Sequence, residues 1–430
     1  MTAARSFWRP AAHPAAIVGS MLRAPLPEVA IGDVCRLQVS AHDDTPAGSG
    51  TVVAVEHGTA SIGLLRDSAG LSPQCLVLPT GNGPMIAISE RILGSVLDGQ
   101  GSEVERLCPA VESHPETRRI DARGVDYRER RPIETVMRTG IRAVDGLLTC
   151  GEGQRVGIFA GAGAGKTTLA EMLLENADVD VSVVALVGER GREVATLVER
   201  LRNTPRAPHT VIVQATSDTA PALRSQAPLI ATTIAEYFRD QGRRVLLVMD
   251  SVTRYARALR ELALGAGEPP ARRGFPASVF EALPRLLERS GRTRTGSITA
   301  FYTVLLEDEQ DADPIGEEAK SLLDGHLYLS SRLAGRGHLP ALDVLRSASR
   351  LFASLADPAQ QQAAARIRSL LGTLEDLQLM RDLGEYTPGL SAAYDKAVAT
   401  EPALMAFLRQ GQQECSTLQQ TLEALHDVSR

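Results

Sequence analysis

The stretch Phe159-Ala-Gly-Ala-Gly-Ala-Gly-Lys166-Thr167-Thr168 has the residue types and spacing to hold phosphate. Gly161, Gly163 and Gly165 let backbone N–H groups close around phosphate oxygens with no Cβ in the way, and Ala162 and Ala164 complete the loop. Lys166 can reach the β- and γ-phosphates, and the Thr167 hydroxyl, followed by Thr168, can ligate Mg²⁺. The apolar run Val156-Gly-Ile-Phe159 before the loop reads as a buried strand. Leu169-Ala-Glu-Met-Leu-Leu174 after it reads as a helix start, whose N-terminus adds partial positive charge. That strand–loop–helix setting separates the motif from a flexible Gly/Ala turn. One departure is visible: the usual first glycine of G-x-x-x-x-G-K-[ST] is Ala160. These residues bind a nucleoside triphosphate.

Two further segments offer charges to such a ligand. Val245-Leu-Leu-Val-Met249 ends in Asp250, the form of a Walker B strand whose carboxylate serves the Mg²⁺ shell. Gly188-Glu189-Arg190-Gly191 ends the apolar run 181–187, and ligands of open α/β sheets lie beyond the carboxyl ends of strands. Glu189 is thereby a candidate to orient or deprotonate the attacking water, and Arg190 a candidate phosphate contact. Arg192 and Glu193 fit a salt-bridged loop. No N/T-K-x-D guanine-reading motif occurs, so ATP is preferred over GTP.

The elements that must position these residues follow from the pattern around them. Residues 26–100 alternate short β-like runs (51–55, 60–65, 75–78, 85–88) with turn glycines, which suggests a small barrel or sandwich. Residues 101–140 are polar and rich in Pro and Arg, and read as a solvated connector. From about 141 to 350, apolar runs at 181–187, 211–213, 245–249 and 298–306 alternate with helical stretches such as 230–238, the α/β pattern with a parallel sheet. After Arg350 the chain turns helical. Asp357-Pro358 is an N-cap and first-turn pair, Pro402 opens a further helix, and Leu418, Leu422 and Leu425 mark a last one. The expected division is therefore 1–100, 101–350 and 351–430.

Composition narrows the partners. A net charge of −6 over 430 residues gives no global basic field to attract duplex nucleic acid. Five cysteines without a C-x-x-C pair argue against a disulfide framework or zinc site and fit a reducing cytoplasm. The N-terminus, with Arg5 and Arg9, lacks the apolar core of a secretory signal, and no apolar run of ~18 residues occurs, so a protein that is cytoplasmic, or peripheral to a membrane through partners, is expected.

Taken together, Asp145-Gly-Leu-Leu-Thr-Cys-Gly-Glu-Gly-Gln-Arg155, Gly188-Glu-Arg-Gly-Arg-Glu-Val194, Asp250-Ser-Val-Thr-Arg-Tyr-Ala256, Glu268-Pro-Pro-Ala-Arg-Arg-Gly-Phe-Pro276, Gly296-Ser-Ile-Thr-Ala-Phe-Tyr302 and Leu323-Asp-Gly-His326 resemble the ATPases of type III secretion systems. These are sisters of the flagellar export ATPase and of the catalytic subunit of rotary ATP synthases. The resemblance covers residues 20–430. It implies an N-terminal β-barrel, a RecA-like P-loop ATPase core and a C-terminal helical domain that contacts chaperone–substrate complexes. It also implies a homohexamer at the cytoplasmic side of the inner membrane, docked at the export gate, with a central stalk protein and a peripheral stator-like regulator. By the same resemblance Arg350 matches an arginine finger supplied to a neighbouring subunit, and the loop 265–276 faces the stalk. Where the family has Tyr in His-Tyr-Pro-Ala near adenine, this chain has Leu339, with Tyr386 a candidate for the other side of the base. Pro228 and Leu229 replace a usual Ala-Tyr.

The wording of residues 148–155 and of Phe407-Leu-Arg-Gln410 favours the secretion branch over flagellar export. A non-catalytic ring subunit would keep the phosphate loop but lack the water-activating carboxylate, which Glu189 supplies. A hexameric RNA helicase would need an aromatic-bearing strand-binding site in its barrel, and residues 26–100 contain no Phe, Trp or Tyr.

Overall fold

His57 and Gly58 both take left-handed φ, 48° and 77°, the geometry of a two-residue hairpin whose twist matches its strands. They join Asp43–Glu56 to Thr59–Leu64, the long central pair of an antiparallel sheet. The computed structural model describes residues 10–40, 42–307, 313–389 and 391–430. The leading Arg5 and Arg9 lie outside them. In the sheet, Ala16–Val18, Met21–Pro25, Val34–Ser40, Asp43–Glu56, Thr59–Leu64 and Leu76–Pro79 stand in the order first, second, fifth, fourth, third, sixth. Ala12, ahead of the first strand, exchanges backbone hydrogen bonds of 3.1 and 2.8 Å with Val77 on the last. That pairing brings the two ends of the sheet together as a barrel. Alternate residues point inward, so Leu22, Ala24, Cys35, Leu37, Ala60, Ile62 and Leu64 form its core.

The run 85–88, grouped with the barrel by the sequence, pairs instead with Glu116–Arg119 in a separate two-stranded sheet. Its partner lies in the segment expected to be a connector. Strand pairing there depends on a distant and charged sequence, for which local pattern carries no signal.

The barrel belongs to one of two compact units, formed by Met1–Gly124, Val183–Tyr237 and Met249–Arg289. In this unit Thr210–Ala215 pairs in parallel with Ser95–Leu97, which pairs antiparallel with Glu103–Arg106. The helix Pro221–Asp240 begins well before the expected residue 230 and carries Pro228 inside it. Pro221 starts it at no hydrogen-bonding cost. The helix Val252–Gly265 seats Leu262 against Met21, Leu65 and Ala222. Arg289, 1% exposed, is held on all sides: by Glu236 Oε1 (3.0 Å) and Oε2 (2.5 Å), the Ile120 carbonyl (2.6 Å) and Thr233 Oγ1 (2.8 Å).

The second unit comprises Val125–Ser182, Phe238–Val248 and Ser290–Arg430. Its centre is the strand Arg155–Ala160, flanked in parallel by Ser297–Leu305 and Gly325–Leu329; the latter pairs antiparallel with Leu342–Ser349. Both Arg155–Ala160 and Ser297–Leu305 are buried nearly throughout; residues 156–160 are apolar, whereas Ser297–Leu305 interleaves buried Ser297, Thr299 and Thr303 with apolar residues. The helices Pro358–Asp382, Ala392–Leu408 and Leu418–Ser429 follow. Asp357 caps the first, accepting from Gln360 N at 2.8 Å. Gln360 Nε2 in turn donates to the carbonyls of Asp145 and Gly146 and to Thr149 Oγ1, and Arg368 donates to Val344 and Leu147 carbonyls, tying the helices to the core. Pro402, expected to open a helix, sits inside Ala392–Leu408. Residues 392–399, rich in alanine, carry the helix through it at the cost of one bond to the Val398 carbonyl. Among the described residues no helix is long and apolar enough to cross a membrane.

Candidate active site

The strand Arg155–Ala160 delivers the chain to the phosphate loop, and the helix Lys166–Asn176 leaves it. Gly163 and Gly165 take φ of 74° and 84°, a conformation in which a side chain is strained. Ala160, in place of the usual first glycine, is the last strand residue, in register with Leu305 and Leu329. Extended backbone suits any residue, so the substitution costs nothing there. The first-turn N–H groups of Lys166, Thr167 and Thr168 have no acceptor within their own helix, and the helix dipole adds positive potential. The loop is braced by Ser331 Oγ, which donates to the Ala162 carbonyl at 3.4 Å. Leu339 Cδ2 stands 3.7 Å from where a Cβ on Gly165 would lie, so this exposed side chain borders the loop.

In the other unit, Glu189 follows the strand Val181–Val187 and is 3% exposed. Its carboxylate meets Arg254 Nη2 at 3.1 Å. Arg254 Nη1 also donates to the Gly188 carbonyl, so one guanidinium fixes both the carboxylate and the peptide before it. Gly188 takes φ 67°, and a Cβ there would come within 3.1 Å of the Arg254 side chain. Arg254 lies in the first turn of Val252–Gly265, placed by Ser251, whose hydroxyl caps that helix. Asp250, 6% exposed, ends the strand Arg244–Asp250 just ahead of it. Arg190 points outward, with its side chain 80% exposed and 3.9 Å from Glu193. Sequence reasoning gave Arg254 no role. Its signal is its place four residues after Asp250, but the pairing with Glu189 spans a distance no local pattern covers.

Arg350 is elsewhere. It follows Leu342–Ser349, and its N–H donates to the Asp324 carbonyl at 2.9 Å. Asp324 N bonds the Arg155 carbonyl, at the beginning of the central strand. The phosphate loop leaves the other end of that strand, after Ala160. Five residue steps at ~3.3 Å put roughly 16 Å between those ends, more than an arginine side chain spans. Tyr386 lies beyond the helix Pro358–Asp382, and its hydroxyl donates to Asp395 Oδ1 at 2.8 Å.

Residues 140–349 match the model of the ATP synthase alpha/beta family nucleotide-binding domain, and residues 356–427 that of the T3SS EscN ATPase C-terminal domain. The SPI-1 type 3 secretion system ATPase of Salmonella typhi is 48% identical over 415 residues, covering 96% of each chain. The chain belongs to the type III secretion system ATPase family. It is an ATP-hydrolysing enzyme of that family with a RecA-like core. The flagellum-specific ATP synthase of Bacillus subtilis is a more distant relative, at 38% identity over 414 residues, 96% of this chain and 94% of that one. Among solved structures, the assembled ATPase EscN of the enteropathogenic E. coli type III secretion system superposes with a TM-score of 0.90 at 39% identity, covering 97% of this chain and all of that one. The same ATPase in complex with its central stalk EscO gives 0.86 at the same identity and coverage.

Proposed function

We propose that this ATPase is the motor of a type III protein secretion system, releasing and unfolding chaperone-bound export substrates at the cytoplasmic face of the inner membrane. Its working form is a homohexamer around a central stalk protein, which the loop 265–276 faces, with a stator-like regulator and the export gate as further partners. The assembled and stalk-bound states of the E. coli relative support this reading.

The observation that carries the catalytic part is the separation of Arg350 from its own phosphate loop by the length of the central strand. A residue so placed serves a neighbouring subunit, as an arginine finger does. Lys166 and the loop residues Gly161 to Thr168 hold the phosphates, and Glu189, oriented by Arg254, activates the attacking water. Arg190, whose side chain is exposed, serves as a further phosphate contact. Thr167 and Asp250 are hard oxygen donors of the kind Mg²⁺ selects, and a metal that takes its other ligands from water and phosphate needs no larger protein cluster. Bound Mg²⁺ would neutralise charge on the phosphate oxygens. Leu339, which borders Gly165, is the apolar contact offered to the base, and Tyr386 is the candidate for its other side.

The test is ATP-driven release of a chaperone-bound export substrate. Lys166→Ala should lose nucleotide contact, turnover and release. Glu189→Gln should keep ATP binding but lose both hydrolysis and release, since the amide cannot accept a proton. Near-wild-type hydrolysis by Glu189→Gln would refute the water-activating role, and hydrolysis without release would refute the motor.

A further inference from the structure

The Lys320 carbonyl lies in the last turn of Pro314–Leu322, where helix carbonyls have no N–H partner within the helix. Two side chains take it up. His326 Nε2 lies 3.0 Å from it, and Arg350 Nη2 lies 3.5 Å from it. A guanidinium there also meets the negative end of the helix dipole. The carbonyl can only accept, so His326 carries its proton on Nε2. Burial lowers the His326 pKa, and the Arg350 and Lys320 charges lower it further, against smaller rises from the bond to the Lys320 carbonyl and from the Asp324 charge. Near neutral pH the ring is therefore uncharged and donates through Nε2 alone.

The same ring packs on Phe159, edge-on at 5.6 Å and 63°. Phe159 is the next-to-last residue of the strand that enters the phosphate loop, and it stacks on Tyr328 at 4.9 Å. The space around it is full: a Cβ on Gly157 would come within 2.5 Å of the Phe159 ring. Contacts packed to this density pass a displacement on instead of absorbing it.

We propose that His326 is a positioning residue for the arginine finger. It holds the Lys320 carbonyl on which Arg350 rests, and through Phe159 it couples a subunit's own phosphate loop to the finger that subunit presents to its neighbour. A nucleotide that shifts the loop in one pocket thereby resets the finger at the next, which orders firing around the ring. This rests on the reading of Arg350 as a finger acting between subunits.

Mixed rings separate the two roles. Glu189→Gln subunits supply fingers without a working pocket, and Arg350→Ala subunits supply pockets without a finger. Mixed equally, about one interface in four pairs an intact pocket with an intact finger, and mass measurement confirms mixed assembly. Adding His326→Leu to the finger-supplying subunit should lower the recovered kcat roughly two- to thirtyfold, with KM for ATP unchanged. His326→Gln, whose amide can serve the same carbonyl, should retain most of the recovery. Where the leucine variant fails to assemble, His326→Asn, with an amide too short for the carbonyl, replaces it. Full recovery with His326→Leu in the finger-supplying subunit overturns the proposal. So does an equal loss when the substitution is moved to the Arg350→Ala subunit, because that marks a merely structural residue. If the parent mixture itself recovers nothing, the finger reading falls and takes the proposal with it.

Discussion

Asp145 offers a prediction in which two opposing effects can be weighed. Its carboxylate is fully buried, yet Oδ1 accepts from Thr139 N (2.9 Å) and Thr139 Oγ1 (2.6 Å), and Oδ2 from Gly140 N (2.9 Å). Those bonds and the nearby Arg138 favour the ionised form, but burial outweighs them and pushes the pKa from 3.8 up to about 6. The folded protein thus holds this proton more tightly than the unfolded chain does. The resulting stabilisation is complete below pH 3.8 and is lost as pH rises through about 6. With those two values it is worth about 1.4 kcal/mol at pH 5 and close to zero at pH 7.5. The turn it serves also anchors the C-terminal region, since the Gly140 carbonyl accepts from Gln410 Nε2 at 2.7 Å. The assay is urea unfolding of wild type and Asp145→Asn at several pH values, where other titrating groups cancel in the difference. Asn itself should cost about 1–3 kcal/mol, because its amide turns a donor toward Gly140 N. From pH 5 to 7.5 the wild-type advantage should shrink by about 1.4 kcal/mol. A constant difference, or an advantage that grows with pH, would refute the reasoning.

Two further outcomes follow from packing. Arg289→Met leaves the buried Glu236 carboxylate without its partner and should destabilise by about 3–5 kcal/mol, with much of the loss regained in Arg289→Met/Glu236→Leu; a double-mutant cycle in urea reads the coupling. Leu339→Tyr adds an aromatic face beside Gly165 and should tighten ATP binding by about 0.5–1.5 kcal/mol, as measured by calorimetry, whereas an unchanged Kd would remove this position from the base site.

Features that depend on a few contiguous residues were legible in the sequence. The phosphate loop is one, because a left-handed glycine at 163 and 165 and a helix start at Lys166 are local properties of the backbone. The strands Val181–Val187 and Arg244–Asp250 are others, since burial on both faces writes itself as a predominantly apolar run, 183–187 in the first and 245–249 in the second. Asp357-Pro358 named its helix end for the same reason. What only tertiary structure decided are pairings between distant residues. The strand Met85–Ile88 chose Glu116–Arg119 over the barrel, and Pro402 was absorbed into a helix that its neighbours sustain. Arg254 closing on Glu189, Arg289 threading between Glu236 and the Ile120 carbonyl, and His326 sharing a carbonyl with Arg350 leave no mark in the spacing of the chain. A buried polar group must be satisfied by whatever donor or acceptor the fold brings near it. Which group that is depends on how the elements pack in three dimensions, and the local pattern of residues does not contain that information.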